Sequence, residues 1–156
     1  MSTLQITEKR IEIKGYPEQM GFVKYDGFAS AFVAGKGSGK SHGGALKSLD
    51  FCLKNPGASG IVTAPEHRIL EFATIPTYQK VFPPEFVVRE KYRPHPEWTL
   101  QGGGKIYFWS TNKPETIAGG EVAFAHMDEG SLSSYLAWLN VRSRLRQRRV
   151  DGTDNP

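Results

Sequence analysis

The run Ala34-Gly35-Lys36-Gly37-Ser38-Gly39-Lys40-Ser41 constrains this chain more than any other feature, because a loop of this kind needs a strand before it and a helix after it. It follows the phosphate-binding pattern GxxxxGK[ST], with Ala34 in place of the first Gly. Backbone N–H groups must curl around a polyphosphate, and Gly allows both the unusual φ/ψ values and the close approach. Gly35, Gly37, Ser38 and Gly39 are the candidate cradle. The helix that follows aims its N-terminal partial charge at the anion. Lys40 is placed to reach β- and γ-phosphates, and the Ser41 hydroxyl is a candidate Mg2+ ligand. Lys36 is a second cation in the loop. It either adds charge at the γ-phosphate and the transition state or faces solvent.

The flanking segments alternate between strand and helix character. Phe28–Ala34 (FASAFVA) is short, apolar and bounded by Gly27 and Gly35, which predicts a buried strand. Residues 38–54 predict a helix, stopped by Asn55-Pro56-Gly57. Residues 60–64 (GIVTA) predict a second buried strand ended by Pro65, and residues 66–81 a helix interrupted near Pro76. Residues 86–100 and 105–110 are extended runs flanking Gln101-Gly102-Gly103-Gly104, which predicts a hairpin or two adjacent strands. Residues 121–127 predict a further strand. Residues 133–148 predict a helix, with Ser131 or Ser133 as candidate cap. This order predicts an α/β fold: a mostly parallel sheet flanked by helices, with a β-hairpin insertion.

The strand at residues 121–127 delivers Asp128 and Glu129 at its C-terminal end, the edge where open α/β sheets bind ligands. Asp128 is placed to hold Mg2+ together with Ser41, directly or through water. Glu129 is placed to orient or deprotonate an attacking water. His42, His67, His95 and His126 have no partners at metal-ligand spacing, and His126 reads as a packed residue. Cys52 reads as a small buried apolar residue.

Composition narrows the class further. With 156 residues, 38% of them hydrophobic, the chain can build one core, which excludes a disordered or collagen-like chain. A single Cys excludes a disulfide framework. The longest apolar run is too short to span a membrane, and residues 1–10 lack the apolar core of a signal peptide, so an intracellular setting is expected. The net charge of +4 comes from one place. Residues 1–141 carry 15 Lys/Arg against 14 Asp/Glu, whereas residues 142–149 add five Arg and no acid. That run either meets phosphates or is a solvated helix end.

Together the two motifs identify a P-loop NTPase, and the order of the surrounding residues is more specific. Tyr16–Phe22 (YPEQMGF), GKGSGKS, Thr63-Ala64-Pro65, Phe108-Trp109-Ser110-Thr111, residues 114–120 (PETIAGG), Asp128-Glu129 and Trp138 to Arg146 follow one another. This order resembles the N-terminal ATPase domain of the large terminase subunit of tailed bacteriophages, over about residues 16–149. The resemblance implies Mg2+-dependent ATP hydrolysis that drives double-stranded DNA into a prohead. The implied partners are a portal protein and a small terminase subunit. It also implies a homo-oligomeric ring and the cytoplasm of an infected bacterial host, with no membrane. It places Lys40, Ser41, Asp128 and Glu129 in the two motifs, Lys36 where many members carry an Arg, and Gln19 near the adenine.

Two departures stand out. Ala118 occupies a position where many members have an Arg, which leaves Lys113 or Arg144 as substitutes. The coupling motif, further strands and nuclease domain that follow in the family are not visible. The expected organisation is therefore one partial ATPase domain: a lead-in at 1–24, a core at 25–149 and a loop at 150–156 where the chain is truncated. Arg142, Arg144 and Arg146 are candidate DNA-contacting or trans-acting residues. The other readings are a helicase-like DNA-dependent ATPase, or a fragment that binds nucleotide or DNA without turnover.

Overall fold

The computed structural model describes residues 11–117 and 120–147. Helix α1 (Pro17–Lys24) precedes the Gly-rich loop, and α2 (Lys40–Lys54) follows it. Strand β1 (Gly60–Ala64) leads into a continuous helical segment: α3 (His67–Ile69), a π turn (Leu70–Thr74) and α4 (Ile75–Val81). Strands β2 (Val87–Lys91), β3 (Glu97–Leu100) and β4 (Lys105–Ser110) come next, then β5 (Phe124–Met127) and α5 (Tyr135–Arg142).

The five strands form one sheet in the order β2-β3-β4-β1-β5. β1 pairs in parallel with β4 on one side and β5 on the other, with Val62 opposite Phe108 and His126. β2, β3 and β4 pair antiparallel, and the β3–β4 turn is the Gln101–Gly104 segment. The sheet thus has a three-stranded parallel part that frames the site and an antiparallel extension built by the hairpin. The extended run 86–100 divides into β2 and β3 at residues 92–96.

Alternation along β1 places side chains in cores on both faces. Val62 and Ala64 join Ala45, Leu49, Tyr78, Trp98, Ile106 and Phe108 under α2 and α4. Ile61 joins Ile117, Val122, Ala137 and Val141 under α5. Cys52 is buried as expected, and burial pushes its thiol up to about 12. Gly44 of α2 lies against the His126 ring, and a Cβ there would collide with it. Its absence lets α2 settle onto β5.

Three expectations are corrected. Residues 28–34 do not form a buried strand: they are in no strand, Phe28 is 61% exposed and Val33 is 91% exposed. Apolar character is not sufficient for a strand, which also needs a neighbour to take its N–H and C=O groups. Among the described residues no strand pairs with this segment, and β5 is an edge of the sheet. Only Phe32 of the segment is half-buried, packing on Phe22.

The last helix begins later and ends earlier than 133–148. Its cap is Ser134, whose side chain accepts the Ala137 N–H, and not Ser131 or Ser133. It ends at Arg142 because the chain then turns to pair with Val122: Val122 N–H donates to Arg144 O, and Gln147 N–H donates to Val122 O. Near Pro76 the helix is not broken. Pro76 has no N–H to donate, and the ladder accommodates it with the π turn just upstream, closed by Ile75 N–H to Leu70 O.

Removing the ring at the centre of the larger core, in Phe108→Ala, should cost about 3–5 kcal/mol of stability. It is read as a lowered midpoint in urea unfolding.

Candidate phosphate and metal site

The Gly-rich loop turns as its composition requires. Gly37 (φ 80°) and Gly39 (φ 79°) both take left-handed backbone conformations that would strain any other residue. Ser38 N–H closes a turn on Gly35 O, and Gly43 N–H donates to Gly39 O as α2 begins. The Lys40 ammonium donates back across the loop to Gly35 O at 3.0 Å. The loop residues 34–38 are exposed, Lys36 among them.

Two side chains hold α1 to α2 and so set the position of the loop. The Gln19 amide is buried: its oxygen accepts the Tyr16 N–H at 3.0 Å and its nitrogen donates to Gly39 O at 3.1 Å. The family resemblance implies an adenine near Gln19. In this structure its amide is bonded to the loop itself. Lys47 caps the end of α1, donating to Phe22 O at 2.8 Å and Tyr25 O at 2.6 Å. Its ammonium also lies 4.9 Å from the Phe22 ring centroid, and partial burial lowers its pKa. Sequence reading missed Lys47, since one Lys on an amphipathic helix carries no local signal.

The two motifs meet across 87 residues. Ser41 Oγ donates to Asp128 Oδ1 at 2.7 Å. The other carboxylate oxygen, Oδ2, accepts from Thr74 Oγ1 at 2.8 Å. Asp128 is buried, and its backbone N–H donates to Thr63 O. A hydroxyl and a carboxylate side by side at a helix N-terminus form a hard-oxygen donor pair. That is the kind Mg2+ uses when most of its other ligands are water and phosphate. Among the described residues no cluster of three or more His, Cys, Asp or Glu could hold a metal ion. Thr74 was not anticipated, because nothing in LEFAT marks its hydroxyl as aimed at a distant acid.

Glu129 follows with φ 50° and ψ 40°, the only non-Gly residue with positive φ among those described. It is exposed, and its carbonyl accepts the Leu132 N–H as a short 3-10 turn starts. A side chain held left-handed costs about 1–2 kcal/mol, and such strain concentrates at functional positions.

Beneath the acid runs a buried polar chain. Ser48 Oγ donates to Gly44 O at 2.9 Å and pairs with Tyr78 Oη at 2.8 Å. Tyr78 Oη pairs with His126 Nδ1 at 2.7 Å. With the Ser48 hydrogen committed to Gly44, Tyr78 donates to Ser48 and the Nδ1–H of neutral His126 donates to Tyr78. Burial lowers the His126 pKa, and nearby Asp128 partly offsets this. Burial also raises that of Tyr78. His126 is thus a packed residue, as its strand position suggested.

The arginines divide. Arg142 and Arg146 are exposed, whereas Arg144 is half-buried and donates to Ile117 O at 3.2 Å. Lys113 is exposed. Ala118, Arg148 and Arg149 lie outside the described residues.

A sheet with a parallel centre, a Gly-rich loop opening α2 and an acid at the end of β5 give an α/β fold with helices flanking the sheet. The chain shares its fold with the ATPase domain of the large terminase of Thermus phage P74-26. The TM-score is 0.50 at 16% identity, covering 71% of this chain and 52% of that one. A mutant of the same domain matches at 17% identity with a TM-score of 0.49. The match therefore spans about half the length of the solved domain, and at this identity it establishes the fold. No protein-family model matches the chain. No curated protein matches it either. Among the described residues no helix is long and apolar enough to cross a membrane.

Two outcomes follow. Glu129→Gly should be more stable than Glu129→Ala by about 1 kcal/mol, because only Gly relieves the left-handed strain. Equal thermal unfolding of the two would remove that strain from the site. Since burial lowers the His126 pKa in the folded chain, the unfolded chain takes up protons more readily as pH falls. Stability should fall as pH drops below the ordinary His value of 6.5. His126→Gln should flatten that part of a urea-midpoint profile between pH 7 and 5.

Proposed function

We propose that this chain is the ATPase portion of a viral DNA-packaging terminase large subunit, hydrolysing ATP with Mg2+ to drive double-stranded DNA into a prohead. The observation that carries the reading is the Ser41–Asp128 contact, which unites a phosphate loop and a strand-end acid in one site. The shared terminase fold supports it.

In this reading the backbone N–H groups of residues 35–39 bind the polyphosphate, and Lys40 swings from Gly35 O to the β- and γ-phosphates. Lys36 adds positive charge at the γ-phosphate. Mg2+, held through Ser41 and Asp128, would offset phosphate charge. Glu129 accepts a proton from the water that attacks the γ-phosphorus, and ADP leaves as the bond to its β-phosphate oxygen breaks. Gln19 positions the loop and borders the base. Arg142 and Arg146 are the exposed cations offered to DNA phosphates or to a neighbouring subunit, with Arg144 tied to Ile117 O. The portal protein, the small subunit, a homo-oligomeric ring and the cytoplasm of an infected bacterium belong to the same proposal. So does the assignment of these residues to one partial ATPase domain.

Lys40→Ala should abolish Mg2+-dependent binding of a fluorescent ATP analogue. Glu129→Gln should keep binding and lose turnover by about 10²–10⁴-fold. Equal hydrolysis by wild type and Glu129→Gln sinks the catalytic assignment. A second reading, binding without turnover, is favoured by one observation: among the described residues, 28–34 enter the loop without sheet pairing, and α1 and α2 hold it. Turnover measured with and without double-stranded DNA separates the two.

A further inference from the structure

Asp128 has two carboxylate oxygens, and each is held by a different hydroxyl. Ser41 takes Oδ1, and Thr74 takes Oδ2. Thr74 is 1% exposed and stands at the last position of the π turn. The inward stripe of this helical segment runs through Leu70 and Thr74, then through Ile75, Tyr78 and Phe82. Leu70, Thr74, Tyr78 and Phe82 recur every four residues with Ile75 beside them, and the π turn at Leu70–Thr74 leads directly into α4.

This spacing has a geometric consequence. Thr74 and Tyr78 are four residues apart on the helix, a rise of about 6 Å. Their partners Asp128 and His126 are two apart on β5, about 6.6 Å in a parallel strand. The spacings match, so one helix face reads two successive same-side residues of the strand: Thr74 to Asp128 and Tyr78 to His126. Tyr78 fixes the helix against β5 from below, and Thr74 then meets the carboxylate above.

We infer that Thr74 is a positioning residue of the metal–nucleotide site: its hydroxyl holds Asp128 Oδ2 so that Oδ1 stays facing Ser41. This rests on the proposed function. A hydroxyl in this place fixes the carboxylate rotamer and keeps the Ser41-facing oxygen, with its remaining lone pair, turned toward where the ion would sit, the usual work of outer partners in metal sites. Valine keeps the shape of Thr74 and leaves Oδ2 unpaired. Serine keeps the hydroxyl and loses only a methyl.

The test is the Mg2+ concentration needed for half-maximal binding of a fluorescent ATP analogue by the full chain, with circular dichroism melts as the folding control. Thr74→Val should raise that concentration about tenfold or more, the range seen when an outer partner of a metal ligand is lost. Thr74→Ser should stay near wild type, and nucleotide binding without Mg2+ should be the same in all three. If Thr74→Val does not fold, Thr74→Ala carries the comparison. A folded Thr74→Val or Thr74→Ala with wild-type Mg2+ dependence overturns the role of Thr74 and leaves the proposed function standing. A wild-type chain whose nucleotide binding ignores Mg2+ overturns both.

Discussion

The hydrogen bond from Ser41 to Asp128 is the interaction on which the site depends, because it joins the start of α2 to the end of β5. Each partner is useless alone. A hydroxyl at the head of a helix and an acid at the end of a strand become neighbours only when the sheet carries one to the other. Two features of the packing make that possible. Gly44 lets α2 lie directly on His126, and β1 sits between β4 and β5 so that their C-terminal ends share one edge. At that edge Thr111 N–H donates to Ala64 O and Asp128 N–H to Thr63 O, which keeps the strand ends in register beyond the ladder.

The loop itself is held from the helix side. Gln19 ties α1 to Gly39, and Lys47 ties α2 to the last carbonyls of α1. The apolar residues 28–34 that enter the loop contribute little, apart from Phe32 against Phe22. They border an open groove with Glu18, Phe22 and Tyr25. Left-handed backbone occurs at Gly37 and Gly39 in the loop and at Glu129 after β5, and also at Gly57, Gly102 and Gly103 in turns away from the site. The glycines tolerate left-handed backbone without cost, while Glu129 bears it.

Sequence reading found the elements wherever the signal was local. β1 and the β3–β4 turn came out as expected, and α2 within two residues, because periodicity, Gly-rich punctuation and β-branched content act within a few residues. It failed where a segment's state depends on a distant neighbour. FASAFVA has the composition of a strand and lacks a strand beside it. The arginine run has the look of a helix end, yet Val122 draws residues 144–147 into an extended pairing.

The sequence by itself determined the loop chemistry: Gly at the two left-handed positions, Lys40 and Ser41 at the helix start, and an apolar strand delivering Asp128. These follow from residue type and spacing, which operate along the chain. Only the tertiary structure decided that Thr74 completes the carboxylate's hydrogen bonds, that Tyr78 and Ser48 run beneath it, and that the Gln19 amide serves the loop. Each of those depends on side chains 20 to 54 residues apart meeting in a buried place. There an unpaired polar group is costly, and its partner is chosen by packing and not by sequence distance.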